Sequence, residues 1–370
     1  MAKTETPLSP AEAQTAKTKK RKTDRKLRVG IIGCGFIGRV HHEHYASFDD
    51  VEVVAACEID PSIRKQWEAD HGLPMYEKWQ DMLKKHEFDL ISVCTPNYAH
   101  YKPTIGALET GCHVFCEKPL AMNATEGQKM LDKAREVGKE LTIAYQHRFE
   151  PSVAMIKRAV EAGSLGEIMV GKVHAMRRRG IPNWGVFGQK EKQGGGPMID
   201  IGVHVIEMCH YAMGTPKPVA ASGNIWTYMG NKPSQVVSMW PGWDHKTYTV
   251  EDYACGQVRF DNGAVMQIEA MFAGHIPPEM EGMKFELIGQ KGSAVKDPPG
   301  LYYDRDGTMI NATPAFLEKD VKWDIKMRNV VDVCLHGDEN KAPGEHGLMV
   351  QKMIDAIYKS AETGKEVKIS

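Results

Sequence analysis

The chain has 370 residues, 42% of them hydrophobic and 26% charged, with a formal net charge of −1. That length exceeds one ordinary domain, so two are expected. The balanced charge gives no electrostatic case for a nucleic-acid or membrane partner, and no window approaches the ~20 consecutive apolar residues of a membrane span.

Residues 1–26 are polar and end in a basic run, Lys17 to Lys26, without the apolar core of a signal peptide. They read as a disordered basic tail. From Leu27 to Ile32 an apolar run predicts a buried strand, broken by Gly33-Cys34-Gly35-Phe36-Ile37-Gly38, where a helix through His44 begins. Gly33 permits the turn, Gly35 lets backbone N–H groups approach a pyrophosphate, and Gly38 lets the helix pack against the strand. A second apolar run, Val51 to Cys57, ends in Glu58, where a dinucleotide fold places the acid that binds the adenosine ribose. A carboxylate there repels a 2′-phosphate, and no Arg or Ser follows directly, so NAD is favoured over NADP.

Asp60-Pro61 opens the next helix as N-cap and first helical residue. Strands follow at 90–94 and 113–116, and another at 141–145, with helices to about Glu109 and from Asn123 to Val137. This alternation predicts a doubly wound parallel sheet, so the first domain is a Rossmann dinucleotide-binding domain over 27–148. Ligands lie outside the carboxyl ends of such strands, which would line Gly33, Glu58, Thr95, Lys118 and Tyr145 along one edge.

Beyond Phe149 the rhythm changes. A helix over 151–162 precedes a long strand, 167–177, a Gly/Trp-rich loop and a helix from Pro197 to about Ala212. Strands are expected at 219–228, 253–260, 264–272 and 284–288, with Asp261-Asn262-Gly263 as a hairpin turn, and a last amphipathic helix at 344–363. The second domain, 149–370, is therefore α+β with a mostly antiparallel sheet. Eight cysteines are scattered without a CxxC pair or a metal-ligand spacing, which suits reduced thiols in a cytoplasm, and no metal is expected.

Two stretches carry chemistry. Glu117-Lys118-Pro119 puts a lysine at the end of a central strand, where it can stabilise a developing alkoxide. In the stretch from Gly194 to His204, Asp200 and His204 stand four apart on one helical face, so the carboxylate is expected to orient the imidazole as a general base. Such a pair alone does not distinguish catalysis from a structural role. In the intervening loop Trp184 and Phe187 could stack on a ligand ring, with His174 or arginines such as Arg178 binding hydroxyls, or the loop could simply be packed or lie at an interface. Tyr145, His147 and Arg148 enter from the first domain, and Trp240 to His245 reads as a lid or a subunit contact.

Together the Gly33–Gly38 loop, Glu117-Lys118-Pro119 and the Gly194–His204 stretch resemble the Gfo/Idh/MocA family, named for glucose–fructose oxidoreductase, inositol dehydrogenase and a rhizopine-catabolism protein. The resemblance runs from about Arg28 to the end and includes Thr95-Pro96-Asn97 with His100 and the closing 363–367. It implies NAD held by Gly33, Gly35, Phe36, Ile37, Gly38, Glu58, Thr95, Pro96, Asn97, His100, Glu117 and Lys118. It further implies that His204 is the base, oriented by Asp200 and assisted by Lys118, and that the chain forms a homodimer or homotetramer. The region 178–196 is most similar to a branch that oxidises the C3 hydroxyl of glucosyl groups. An NAD-dependent sugar or glycoside dehydrogenase is the leading expectation; an inositol or polyol dehydrogenase, an NAD-dependent glycosidase and a non-enzymatic dinucleotide-sensing regulator remain alternatives.

Overall fold

The computed structural model describes residues 25–370 except Met239, so the expected tail over 1–26 lies outside the described residues apart from its last two positions. The first sheet contains β1 (Leu27–Ile32), β2 (Val51–Cys57), β3 (Met75–Tyr76), β4 (Leu90–Val93), β5 (His113–Cys116) and β6 (Leu141–Ile143), in the order β3-β2-β1-β4-β5-β6. All its pairings are parallel. The chain order reverses between β1 and β4, which opens a ligand crevice at their carboxyl ends. Five helices connect these strands: α1 (Phe36–Ala46), α2 (Pro61–His71), α3 (Trp79–Lys85), α4 (Tyr101–Glu109) and α5 (Ala124–Val137). The Asp60 carboxylate caps α2 by accepting from Ser62 N–H at 2.7 Å and Ile63 N–H at 3.4 Å.

The second sheet has nine strands, with helices packed on one face. After α6 (Pro151–Glu161) come β7 (Ile168–Met176), α7 (Lys190–Gln193) and α8 (Val203–Ala212). Then follow β8 (Pro218–Trp226), β9 (Tyr253–Phe260), β10 (Val265–Met271), β11 (Gly282–Gly289), β12 (Gly292–Lys296), β13 (Pro299–Arg305) and β14 (Thr308–Ala312). The chain closes with α9 (Lys322–His336), α10 (Gly344–Thr363) and β15 (Val367–Lys368). The sheet order is β14-β13-β12-β11-β7-β10-β9-β8-β15. Only β7 and β10 run parallel; β9 and β10 form the expected hairpin across Asp261-Asn262-Gly263.

β6 ends at 143 and β7 begins at 168, so the division at 148/149 falls between the sheets, but one helix crosses it. Helix α9 returns to the first sheet and buries Met327, Val330 and Val331 with Val29, Ile31, Leu90 and Phe115. Each such side chain contributes ~1.5–3 kcal/mol when fully buried. The first domain is thus incomplete without a segment that follows it by nearly two hundred positions. Among the described residues no helix is long and apolar enough to cross a membrane.

Candidate active site

The crevice begins where β1 turns into α1. Gly33 takes φ +95°, and a Cβ on Gly38 would sit 2.1 Å from the Gly33 carbonyl oxygen, so loop and helix approach as closely as glycine allows. No side chain caps α1, which leaves its first-turn N–H groups free to bind an anion. A Cβ on Gly35 would meet nothing within 4 Å. Beside this space Phe36 and Ile59 are 82% and 74% exposed, two large apolar side chains that a planar ring would cover. The Glu58 carboxylate stands at the end of β2, accepting from Cys34 N–H at 2.9 Å and from Ile59 N–H at 2.8 Å. Open anion-binding amides, apolar flanks and an acid at the ribose position fit a dinucleotide.

Lys118, after β5, meets the second domain here. Its Nζ donates to the Asp200 carbonyl at 2.9 Å and to Asp200 Oδ1 at 3.0 Å. The expected pairing of Asp200 with His204 is not what forms. Residues Met198–Gly202 make a π-helical turn before α8, so the four-residue spacing no longer stacks the two side chains as in a regular α-helix. His204 packs edge-to-face on His147, with ring centroids 4.7 Å apart, and its buried Nδ1 has no hydrogen-bond partner. Burial, reinforced by the positive charges of Lys118, Lys326 and Arg177 and by His147, holds its pKa well below 6.5. The imidazole is therefore neutral near pH 7, the form that accepts a proton. His147 in turn places Nδ1 2.5 Å from Glu150 Oε1.

Several expected ligand contacts are instead used inside the protein. Arg148 is buried, with Nε and Nη2 donating to Glu207 Oε2 at 3.1 and 2.9 Å, and its guanidinium lies over the Tyr145 ring. Arg148 and Tyr145 are both buried, 2% and 0% exposed. His100 spans two carbonyls, Pro119 and Thr95, each at 2.8 Å, and thereby ties the strand ends together. Asn97 donates to the Gln193 carbonyl at 2.9 Å, joining the edge of β4 to α7, while Thr95 Oγ1 donates to Ala99 O at 2.9 Å and Pro96 stays exposed beside it. Glu117 points inward: Oε1 lies 3.1 Å from His41 Nε2 and 3.7 Å from Lys326 Nζ. Burial opposes its charge, but Lys326 and the His41 hydrogen bond prevail and hold the carboxyl well below its ordinary range. Ile37 is half-buried in α1. His174 lies on β7 along the opposite, outer face, lining a groove with Tyr253, Glu269 and Lys284, away from His204.

Two supporting residues, Lys326 and Glu251, were not anticipated from the sequence, and a third, Arg177, was anticipated only as one of the arginines that could bind hydroxyls. Lys326 on α9 is 1% exposed, so its ammonium group is buried beneath the crevice, 3.9 Å from the Trp323 ring centroid. Glu251 accepts from Gly196 N–H at 2.8 Å, Met198 N–H at 3.2 Å and the Tyr358 hydroxyl at 2.8 Å, fixing the start of the π-helical turn. Arg177 stacks between Trp240 and Phe272, 5.0 and 5.6 Å from their ring centroids. No local signal marked Lys326 or Glu251, since Lys326 lies between Asp324 and Arg328 and Glu251 directly precedes Asp252.

Residues 27–145 match the oxidoreductase family Gfo/Idh/MocA, NAD-binding Rossmann fold, and residues 157–369 match that family's C-terminal alpha/beta domain. The chain belongs to the Gfo/Idh/MocA family. It is an oxidoreductase with NAD as cofactor. A D-glucoside 3-dehydrogenase of Escherichia coli is 35% identical over 353 residues, covering 94% of this chain and 99% of that one. A levoglucosan dehydrogenase of Pseudarthrobacter phenanthrenivorans is 28% identical over 296 residues, 73% of each chain. A solved structure of levoglucosan dehydrogenase in complex with NADH superposes with a TM-score of 0.81 at 25% identity, covering 94% of this chain and 100% of that one.

Proposed function

We propose that this Gfo/Idh/MocA protein is an NAD-dependent sugar or glycoside dehydrogenase, with the C3 hydroxyl of a glucosyl unit as the oxidised group. The observation that carries the reading is the convergence of Lys118 from the first domain with Asp200 of the second, to which it is bonded, and with His204, on which its charge acts. The similarity to a D-glucoside 3-dehydrogenase over nearly the whole chain supports the choice of sugar and carbon.

NAD, when bound, supplies the hydride acceptor. The chain's own groups do the rest. His204, neutral and dehydrated, takes the hydroxyl proton on its imidazole as the carbon loses hydride. Lys118 donates to the same oxygen and stabilises it while it carries alkoxide charge. Asp200 holds the ammonium in place and keeps a carboxylate near the cation, so the pair enters the dry site as a matched unit. Pre-positioning of these groups, with water excluded, lowers the entropic part of the barrier. A neutral ketone leaves, and the imidazolium returns its proton to solvent.

The test is mass spectrometry of monosaccharides, glycosides and inositols after incubation with the protein and NAD, with a keto-sugar acceptor in parallel to reveal turnover by a retained cofactor. Loss of two hydrogens from a glucoside, located at C3, is the expected result. Release of free sugar would favour hydrolysis, and no change in any member would reject the dehydrogenase.

Among the described residues no helix covers the polar outer face of the nine-stranded sheet, which supports a homodimer or homotetramer, measurable by light scattering. Eight free cysteines support the cytoplasmic assignment.

A further inference from the structure

Arg177, Arg178 and Arg179 leave the end of β7 in succession and line a cavity of about 430 Å³ with Trp240, His275 and Glu281. Among the described residues these guanidinium groups hydrogen-bond only to neutral groups, although the Asp200 carboxylate, outside the cavity wall, acts on Arg177. Arg177 Nη1 donates to the Gly180 carbonyl at 3.1 Å. Arg179 Nη1 donates to the Arg178 and Gly274 carbonyls at 2.7 and 2.8 Å, and its Nη2 lies 3.1 Å from His275 Nε2. Arg178 is held by its backbone alone, whose N–H donates to Glu281 Oε1 at 2.8 Å, leaving its side chain uncommitted. Glu281 is the one carboxylate on the wall among the described residues, so three cations face a single anion.

Elsewhere the chain neutralises its enclosed arginines. Arg148 is matched by Glu207 at 2.9 Å, and Arg328 by Asp50 and Asp332 at 2.9 and 2.8 Å. Arginines that form no ion pair among the described residues and line a concave site are arranged for an anion from outside, because guanidinium forks bind phosphate and carboxylate bidentately. One indole, Trp240, stands in the same wall. Trp240 lies against the Arg177 guanidinium and meets Trp184 edge-to-face at 4.8 Å. Strand β7, which leads into the three arginines, packs against the π-helical turn that carries Asp200, and the charge of Arg177 acts on both Asp200 and His204.

We propose that this cavity binds an anionic group, a phosphate or a carboxylate, carried by the sugar substrate away from the carbon that is oxidised, with the ring seated against Trp240. The substrate half of this inference rests on the dehydrogenase reading above; the anion-binding half does not. Arg178 supplies the free fork, Arg179 and His275 form its flank, and Arg177 links the anion site to the hydroxyl end. The preferred substrate is then a sugar phosphate or a uronic acid derivative, and a neutral glucoside binds through its ring alone.

The experiment uses the NAD-loaded, full-length protein and four probes: methyl β-glucoside, methyl β-glucuronide, glucose 1-phosphate and glucose 6-phosphate. Oxidation is followed by mass spectrometry and binding by titration calorimetry at low and high salt. At least one anionic probe is expected to exceed the neutral glucoside in kcat/KM by ~10-fold or more, the scale of one charge-assisted bidentate contact. Arg178→Gln should reduce that ratio by a similar factor while Arg178→Lys restores part of it, with the melting temperature as the folding control. A phosphate preference or a carboxylate preference identifies which anion the site takes. Salt-sensitive, Arg178-dependent binding without oxidation of any probe would keep the anion site and reject the dehydrogenase reading. Equal or better use of the neutral glucoside, with no Arg178-dependent binding of any anionic probe, would overturn the inference and leave the dehydrogenase reading intact. Absence of both binding and oxidation would overturn it as well.

Discussion

The Lys118 ammonium holds Asp200 by two bonds, 2.9 Å to the carbonyl and 3.0 Å to Oδ1, and so clamps the end of β5 to the π-helical turn that precedes α8. The contact joins the two domains at the point where the proposed mechanism puts the reacting oxygen. Lys118→Met removes both the clamp and the cation. Turnover should fall by ~10²–10³-fold, the cost of losing one donor to a developing oxyanion. NAD affinity, measured by fluorescence titration, should change little, because α1 and Glu58 are untouched. His204→Asn should give a loss of similar size, and retained turnover in both variants would remove these residues from the mechanism.

Burial is the largest cause of the depressed His204 pKa, and the Lys118 charge is next. Catalysis by the neutral imidazole is then expected to be constant through pH 7 and to decline only as pH falls well below 6.5, through the lowered pKa. In Lys118→Met the imidazole pKa should rise, because one opposing positive charge is gone. The shift is read directly from the histidine ring resonances across a pH titration, independently of turnover.

Glu117 sits between His41 and the buried Lys326. Its folded-state pKa lies below the ordinary 4.5, so the unfolded chain binds the proton more readily between those values. The corresponding stabilisation is present above pH 4.5 and is lost as pH falls through the lowered folded value. Glu117→Gln should flatten the acid limb of the melting-temperature profile. It also leaves the Lys326 ammonium buried without its carboxylate, a loss of ~3–5 kcal/mol. Adding Lys326→Met should recover much of that, and strict additivity of the two substitutions would show that the residues are not coupled.

A methyl group on Gly38 has no room, since its Cβ would lie 2.1 Å from the Gly33 oxygen. Gly38→Ala should push the loop away from α1, lower NAD affinity by ~10-fold or more and still leave the second sheet folded. Circular dichroism with a NAD titration separates this from general unfolding, and unchanged affinity would mean that the loop does not hold the pyrophosphate.

Glu58 accepts from Cys34, Ile59 and Asp60 N–H groups as well as standing where a ribose would lie. Glu58→Gln keeps the shape but weakens these acceptor interactions, so both NAD affinity and melting temperature should decline. The discrimination against NADP should narrow, because the repelling charge is gone. Unchanged NAD/NADP preference would place the adenosine elsewhere.

The local parts of this protein were legible in its residues. Glycines at 33, 35 and 38 between an apolar strand and a helix, Glu58 at the end of the next strand, and Asp60-Pro61 at a helix start each depend on neighbours within a few positions, and the structure has them where that pattern puts them. The hairpin at 261–263 is of the same kind. What local pattern could not supply was the set of partners chosen by residues distant in the chain. Asp200 was read with His204 because helical spacing is a local rule; a π-helical turn and a lysine 82 positions away reassign it. Arg148 and Glu117 looked available for ligands until Glu207, His41 and Lys326 were brought beside them. Helix α9 completes the first domain only because its apolar face finds the uncovered side of the first sheet. Short-range sterics and hydrogen bonding set the first group of features, so sequence alone determined the nucleotide-binding frame. Which charges are paired, and which are left for a substrate, is a property of the packed interior, and only the tertiary structure decided it.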